Sequence, residues 1–350
     1  MSIASSFAGG VDAEGNVAGN VRPGETATTR TATVRVPAST SNLGSGFDCV
    51  GLAIDRWLVA SASVSEATDE ASDRLNDFGN IPLVSIERSG TLHNLPIEPV
   101  DDLLYAGFRR TCEFSGVNAT QSEISFAVTS TIPVGRGLGS SAAAIVAGAM
   151  LANESLSLGL SFAELLVLAA DVEGHPDNVA AALRGGATLT IHAGAGYKVT
   201  PLTVAPGLAF IIVVPDFQCD THASRLGLPD TVPFGDAVLA LSRSAALVKG
   251  LETGDAALLA VALEDVLHVP YRSISVPGFD DVTTAALQAG AFGATLSGSG
   301  SSLLAIAPGD LATRTADAMV AAWKHHGVRA ATIVSYEPAG ASAIIPQENR

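Results

Sequence analysis

The sequence is poor in basic residues. Nineteen Lys and Arg stand against 35 Asp and Glu, a formal net charge of −16 over 350 residues. That shortage argues against nucleic acid or an anionic membrane surface as a partner, because neither gains from releasing counterions to such a chain. It does not exclude an anionic small ligand, which backbone dipoles can hold locally. Cysteine is scarce as well. Cys49, Cys112 and Cys219 are odd in number and far apart, and none has metal or redox spacing. They read as reduced thiols, which places the chain in the cytoplasm. The opening residues lack a basic segment followed by an apolar one, so no secretory signal is expected. No apolar run is long enough to cross a membrane.

Apolar material, by contrast, is plentiful. With 47% hydrophobic and 15% charged residues, the chain has enough for one large or two medium domains. Residues 1–30, rich in Gly, Ser, Ala and Thr, read as a flexible tail. Val34 and Val36 alternate with polar neighbours and predict a strand, as does the segment 51–67. Residues 68–80 read as a charged surface excursion. Helices are predicted at 101–116, stopped by Gly116, and at 161–174, where Ser161 and Glu164 form a capping-box pattern. A strand at 122–131 alternates Ile124, Phe126 and Val128 against Ser125 and Thr129. Residues 207–216 form a short continuous apolar run ended by Pro215, the pattern of a buried strand. Helices follow near 235–250, 254–267 and 277–290. A strand–glycine turn–strand unit spans 293–308, and a last helix and strand span 311–338. Strands and helices alternate without a repeat period, so the class is α+β. The composition shifts near 195–206, a candidate domain boundary.

One glycine-rich stretch, "PVGRGLGSSAAA" from Pro133 to Ala144, asks for a chemical reading. It has no lysine, so it is not a Walker A loop. It lacks the six-residue glycine spacing and the acidic residue of a dinucleotide-binding turn. A third arrangement needs only backbone. Gly135, Gly137 and Gly139 admit an anion, and Ser140 and Ser141 sit at a helix N-terminus whose free N–H groups favour phosphate. Alone, the stretch is equally a turn capped by Ser140 with no ligand.

Three segments in order, "VRVPASTSNLGSGFDCVGLAID", "PVGRGLGSSAAA" and "GATLSGSGSSLLAI", resemble the three motifs of the GHMP small-molecule kinases. The resemblance runs from residue 31 to about 340. It implies a two-domain fold: an N-terminal nucleotide-binding α/β domain of ribosomal-protein-like topology over 31–200, and a C-terminal ferredoxin-like α/β sandwich over 201–340, with a tail at 341–350. It also implies ATP and Mg2+ as cofactors and a homodimer. The segments "STSNLGSGFD", "EGHPDNVAAALRGG", "THASRLGLP" and "HVPYRSISVPGFDDV" are similar to the homoserine kinase branch, whose reaction yields O-phospho-L-homoserine from ATP and L-homoserine in threonine biosynthesis. Another small hydroxylated amino acid, such as threonine, is the alternative acceptor, and a non-catalytic nucleotide-binding regulator the alternative class.

By that resemblance Asn42, Asp48, His175, Thr221, Arg225 and Arg272 hold the amino-acid substrate. Asp48 suits an ammonium and the two arginines a carboxylate. Asn178, Thr221 and Arg225 lie nearest the reacting centre, with no strong base expected. Pro133, Gly135, Arg136, Gly137, Leu138, Gly139, Ser140, Ser141 and Ala142 form the ATP loop. Ser140 or Ser141 with Glu173 would hold the metal, with Asp171 as the alternative acid. Two positions depart from the family pattern: Asp102, where an asparagine is expected, and "SGSGSS", where Ala and Pro are expected at Ser299 and Ser301.

Overall fold

The computed structural model describes residues 29–66, 83–119, 122–194 and 196–346. The predicted N-terminal tail, up to residue 28, and the excursion at 68–80 lie outside these residues.

The chain opens with two long strands, β1 (Arg30–Asn42) and β2 (Gly46–Glu66), paired antiparallel. Their register slips between Pro37 and Ala38, a bulge that bends the ribbon. Beyond it β1 continues as Ser39, Thr40 and Ser41, all buried. β3 (Leu83–Gly90), α1 (Leu103–Phe114) and β4 (Ser122–Ser130) follow. In β4 the alternation holds as predicted: Ile124, Phe126 and Val128 are buried and their neighbours exposed. Next come three helices, α2 (Ser140–Ser155), α3 (Phe162–Glu173) and α4 (Asp177–Arg184). The Ser161–Glu164 capping box on α3 is formed in both directions. A hairpin, β5 (Ala187–Ala193) and β6 (Gly196–Leu202), joins the first half of β2 through β5.

The second sheet starts with β7 (Leu208–Pro215). Then come α5 (Thr221–Leu226), α6 (Phe234–Thr253), α7 (Ala256–Ala262), α8 (Val269–Arg272) and α9 (Phe279–Ala289). The unit closes with β8 (Gly293–Leu296), β9 (Leu303–Pro308), α10 (Ala312–His325) and β10 (Ala330–Ser335). Its strand order is β10-β7-β9-β8, all antiparallel. Every residue of β7 is buried, and alternation explains why. Phe210 and Ile212 face one core, shared with the first domain, while Ala209, Ile211 and Val213 face another with Met319 and Trp323 of α10. A strand buried on both faces reads as a continuous apolar run.

Two expected boundaries move. β6 ends at Leu202, so a division at 200/201 cuts into it. The predicted tail from 341 contains β11 (Ala343–Ile344), which pairs with β1 through Val34 and Arg35. Hydrogen bonds from Gly186 to Ala339, Ala339 to Ala53 and Ile345 to Thr33 tie this segment back onto the first domain.

Candidate active site

The glycine-rich loop runs from β4 into α2 and packs against the turn between β8 and β9. Gly137 and Gly139 have φ of 68° and 63°, the left-handed region that glycine adopts without penalty. A Cβ at Gly137 would collide with the Ser297 carbonyl, and one at Gly139 with the Ser39 hydroxyl. Gly139 is the N-cap of α2 and provides no side-chain cap. The expected Ser140 cap is therefore not made. Ser140 and Ser141 are the first two residues of the helix, and the Ser141 hydroxyl donates to Glu173 at 2.6 Å.

The three motifs meet through a ladder of short polar contacts. The Ser297 hydroxyl donates to the Gly137 carbonyl at 2.6 Å, so Thr40, 2.8 Å from the same oxygen, must be the donor to it. Asn42 spans two segments: its Nδ2 donates to the Gly298 carbonyl, and its Oδ1 accepts from the Asp48 N–H, both at 3.0 Å. Asn178 likewise accepts from Ser39 and donates to Ser41, each at 2.9 Å. Both amides are buried with both ends engaged, so they set the geometry of the loops. Ser299 and Ser301, the departures in the third motif, are used as well. Ser299 lies 3.0 Å from the Thr221 hydroxyl, and Ser301 donates to the Phe217 carbonyl.

These loops line a cleft of about 1180 Å3, including its open mouth. Asn42, Asp48, His175, Asn178, Thr221, Arg225 and Arg272 all face it, as do Gly135 to Ser141 and Glu173. Three residues of the expected ATP loop are placed differently from the rest. Pro133 and Ala142 do not line the cleft, and Ala142 is fully buried, leaving α2 slim against the core. The Arg136 guanidinium donates to the backbone carbonyls of Pro215, Val134 and Asp216. It clasps the loop to the end of β7. Asp171, the alternative acid, pairs with Arg110 on the exposed side of α3 and does not line the cleft.

Charge is concentrated at one end. Glu173 lies 3.8 Å from His175, and the His175 Nδ1 lies 2.8 Å from Asp177. Burial pushes the Glu173 carboxyl above its ordinary range, with His175 and the Ser141 hydroxyl opposing. Burial also works against charge on His175, but the hydrogen bond and charge of Asp177, then Glu173 and Asp48, raise it overall. Asp177 is fully buried, which alone would raise it. The His175 contact, the Asn178 N–H and the Ser41 hydroxyl outweigh that and lower it. The Arg225 fork closes on Asp48 through both nitrogens. Arg272 is 5% exposed, its Nε has no partner, and no carboxylate lies within ion-pair distance among the described residues.

The far end is apolar, formed by Leu92, Leu95, Ile97 and Leu103. Asp102 stands at its edge with both oxygens occupied, capping α1 through the Leu104 N–H and pairing with Arg88 at 2.7 Å. A carboxylate at this position serves the helix and the ion pair together. Sequence reasoning passed over Asp177, Phe47 and His268 of the charged end. All three lie inside the segments that carry the resemblance, which was the available signal.

A two-sheet fold with this loop at the domain junction defines a class, and the chain belongs to the GHMP kinase family. Residues 102–186 match the model of the GHMP kinases N terminal domain, and residues 247–325 that of the GHMP kinases C terminal. Among its relatives, homoserine kinase from Gloeobacter violaceus is 40% identical over 297 residues, 83% of this chain and 92% of its own. Homoserine kinase from Trichormus variabilis is 35% identical over 307 residues, 85% and 93%. The crystal structure of homoserine kinase from Cytophaga hutchinsonii superposes with a TM-score of 0.75 at 29% identity, covering 93% of this chain and all of that one.

Proposed function

We propose that the protein is an ATP-dependent homoserine kinase. The oxygen of the L-homoserine side-chain hydroxyl bonds to the γ-phosphorus of ATP while the bond from that phosphorus to the β–γ bridging oxygen breaks. O-phospho-L-homoserine and ADP result, a step of threonine biosynthesis. The observation that carries the reading is Arg272, a buried guanidinium facing the cleft with no protein carboxylate of its own. A buried cation without a counter-ion is costly, and a substrate carboxylate relieves that cost. Asp48 beside it suits the substrate ammonium, and Arg225 is free to follow the carboxylate once Asp48 is engaged.

The backbone from Gly135 to Ser141 lines the phosphate side, with the α2 N-terminus directed there. Glu173 with Ser140 or Ser141 fits a hard cation. A carboxylate and a hydroxyl meet at the cleft wall, and among the described residues no group of three His, Cys, Asp or Glu forms a full cage. Magnesium, which keeps most of its shell as water and phosphate oxygens, supplies charge neutralisation when bound. The chain's own residues orient the acceptor and the phosphates, which is most of what phosphoryl transfer requires. None of the cleft carboxylates is free as a base. Asp48 is forked by Arg225, Asp177 is held by His175, and Glu173 accepts from Ser141. The hydroxyl proton therefore passes to an oxygen of the phosphoryl group as that group is transferred, and is released to water from the product.

The reading extends to a cytoplasmic homodimer. No helix among the described residues is long and apolar enough to cross a membrane, and α6 exposes Phe234, Val238 and Leu241 in one row. The deciding experiment measures ADP release with ATP, Mg2+ and L-homoserine, beside L-threonine and L-serine as acceptors. Folded protein with no homoserine-dependent turnover would overturn the reading.

A further inference from the structure

His268 is completely buried beside the charged end of the cleft. Its backbone is pinned: one oxygen of Asp265 accepts from the N–H groups of Leu267, His268 and Val269 at 2.9, 2.6 and 2.8 Å. Its ring sits between two groups that each dictate one nitrogen. Nε2 is 3.1 Å from the Gly44 carbonyl, which can only accept. Nδ1 is 3.3 Å from Nη1 of Arg272, which can only donate. A single neutral tautomer satisfies both, with the proton on Nε2 and the lone pair on Nδ1. The ring face is used too. Phe47 stacks on it at 4.9 Å and 19°, and the Arg272 guanidinium lies over the same Phe47 ring at 5.2 Å.

We propose that His268 is the positioning residue for the substrate carboxylate, aiming the Arg272 guanidinium and tying it to the turn that leads into Asp48. The covalent pattern makes this arrangement natural. His268 and Arg272 are four apart across the one-turn helix α8, so both side chains lie on one face. Gly44 lies in the turn between β1 and β2, and Phe47 is the second residue of β2, four and one residues before Asp48. The two recognition groups, one for each end of a zwitterion, are thereby connected through one imidazole. An arginine held at Nη1 and across its face, while its Nε is left without a partner, has already lost the rotamer freedom that binding would otherwise cost it.

The inference rests on the homoserine reading, and the test separates the two. Initial rates are measured with L-homoserine and with 3-aminopropan-1-ol, the same acceptor without its carboxylate. His268→Phe keeps the ring stack and removes both nitrogens. It should raise the homoserine KM about tenfold or more, with the KM for ATP and the kcat/KM for 3-aminopropan-1-ol changing less than about twofold. His268→Asn, which returns an acceptor near the Nδ1 position, should recover most of the loss. His268→Gln, whose amide reaches toward the Nε2 position, should not. Equal losses on both acceptors, or an unchanged homoserine KM, would overturn the proposal. If the Phe variant does not fold, the Asn and Gln variants decide, and equal KM values for the two overturn it. Arg272→Lys is the control. If the wild-type enzyme ignores the carboxylate, or Arg272→Lys costs nothing on homoserine, the substrate reading itself fails. If both discriminate and the His268 variants do not alter discrimination, the role assigned to His268 alone is wrong.

Discussion

The guanidinium of Arg225 grips the carboxylate of Asp48 through both of its terminal nitrogens, across 177 residues of sequence. Each group is the complement of one end of a zwitterionic amino acid, and without substrate each complements the other. Binding on the proposed reading is therefore an exchange of ion pairs, in which the substrate ammonium takes Asp48 and its carboxylate takes the arginines. Asp48→Asn removes one side of that exchange. We expect the KM for L-homoserine to rise roughly 10- to 100-fold, from the loss of charge-assisted hydrogen bonds, with the KM for ATP within about twofold. Steady-state kinetics with each substrate varied would show it. Equal effects on both substrates would mark Asp48 as a structural residue.

Asn178 holds the Ser39 and Ser41 hydroxyls together. Asn178→Ala leaves both buried without that partner, so a loss of about 2 kcal/mol in stability is expected. Because Asn178 is not placed as a base, turnover should fall only in part. Urea denaturation beside kcat measurement tests both halves. Abolished turnover at unchanged stability would assign Asn178 a direct chemical role.

His268 gives stability a dependence on pH. Burial holds its imidazole below the ordinary value of 6.5, with Arg272 adding to that effect and Asp265, the Gly44 carbonyl and Asp48 opposing it. Above the ordinary value neither the folded nor the unfolded chain carries the proton, and the contribution is fully present. As pH falls through it, the unfolded chain accepts a proton that the folded chain refuses, and stability is lost, by at most about 1.4 kcal/mol per pH unit. His175, raised in the fold, acts in the opposite sense, with stability present below 6.5 and lost above its folded value. The measurable quantity is thus the difference between wild type and His268→Asn in thermal denaturation from pH 7.5 to 5. The variant should show the shallower acid loss, and parallel curves would contradict it.

Gly137→Ala meets two obstacles at once. The backbone conformation costs about 1–2 kcal/mol for any L side chain, and the methyl overlaps the Ser297 carbonyl. We expect a destabilised protein in which nucleotide affinity falls further than homoserine affinity. Calorimetric titration with each ligand on the folded fraction measures this. Unaltered nucleotide affinity would move the phosphate site away from this loop.

The motifs were legible because their chemistry is local. Left-handed glycines, serines beside a helix start and an alternating strand leave marks within a dozen residues. The same is true of the Ser161–Glu164 box. The unreadable parts depend on contacts between distant segments. Nothing near Arg136 signals that its side chain will reach the carbonyls at the end of β7, and a resemblance that assigns the loop to ATP carries the arginine along with it. His268 opens a segment whose resemblance drew attention only to Arg272, and its distant partners, Gly44 and Phe47, lie more than 200 residues away. The apolar end of the cleft comes from Leu92, Leu95 and Ile97, a segment without periodicity. β11 is two residues long, too short for any alternation to show.

That last strand bears on how the molecule is made. The free edge of β1 is covered by Ala343 and Ile344, which are synthesised about 300 residues after it. Until they emerge, the first domain waits with one border open, and such a border can pair with another chain. The two domains are consecutive in most of the sequence but are not separable as beads on a string. A fragment ending near residue 200 carries the glycine loop yet lacks the strand that pairs with the outer edge of β1. Truncation just before Ala343 should therefore promote association of nascent or refolding chains, at a site far from the cleft.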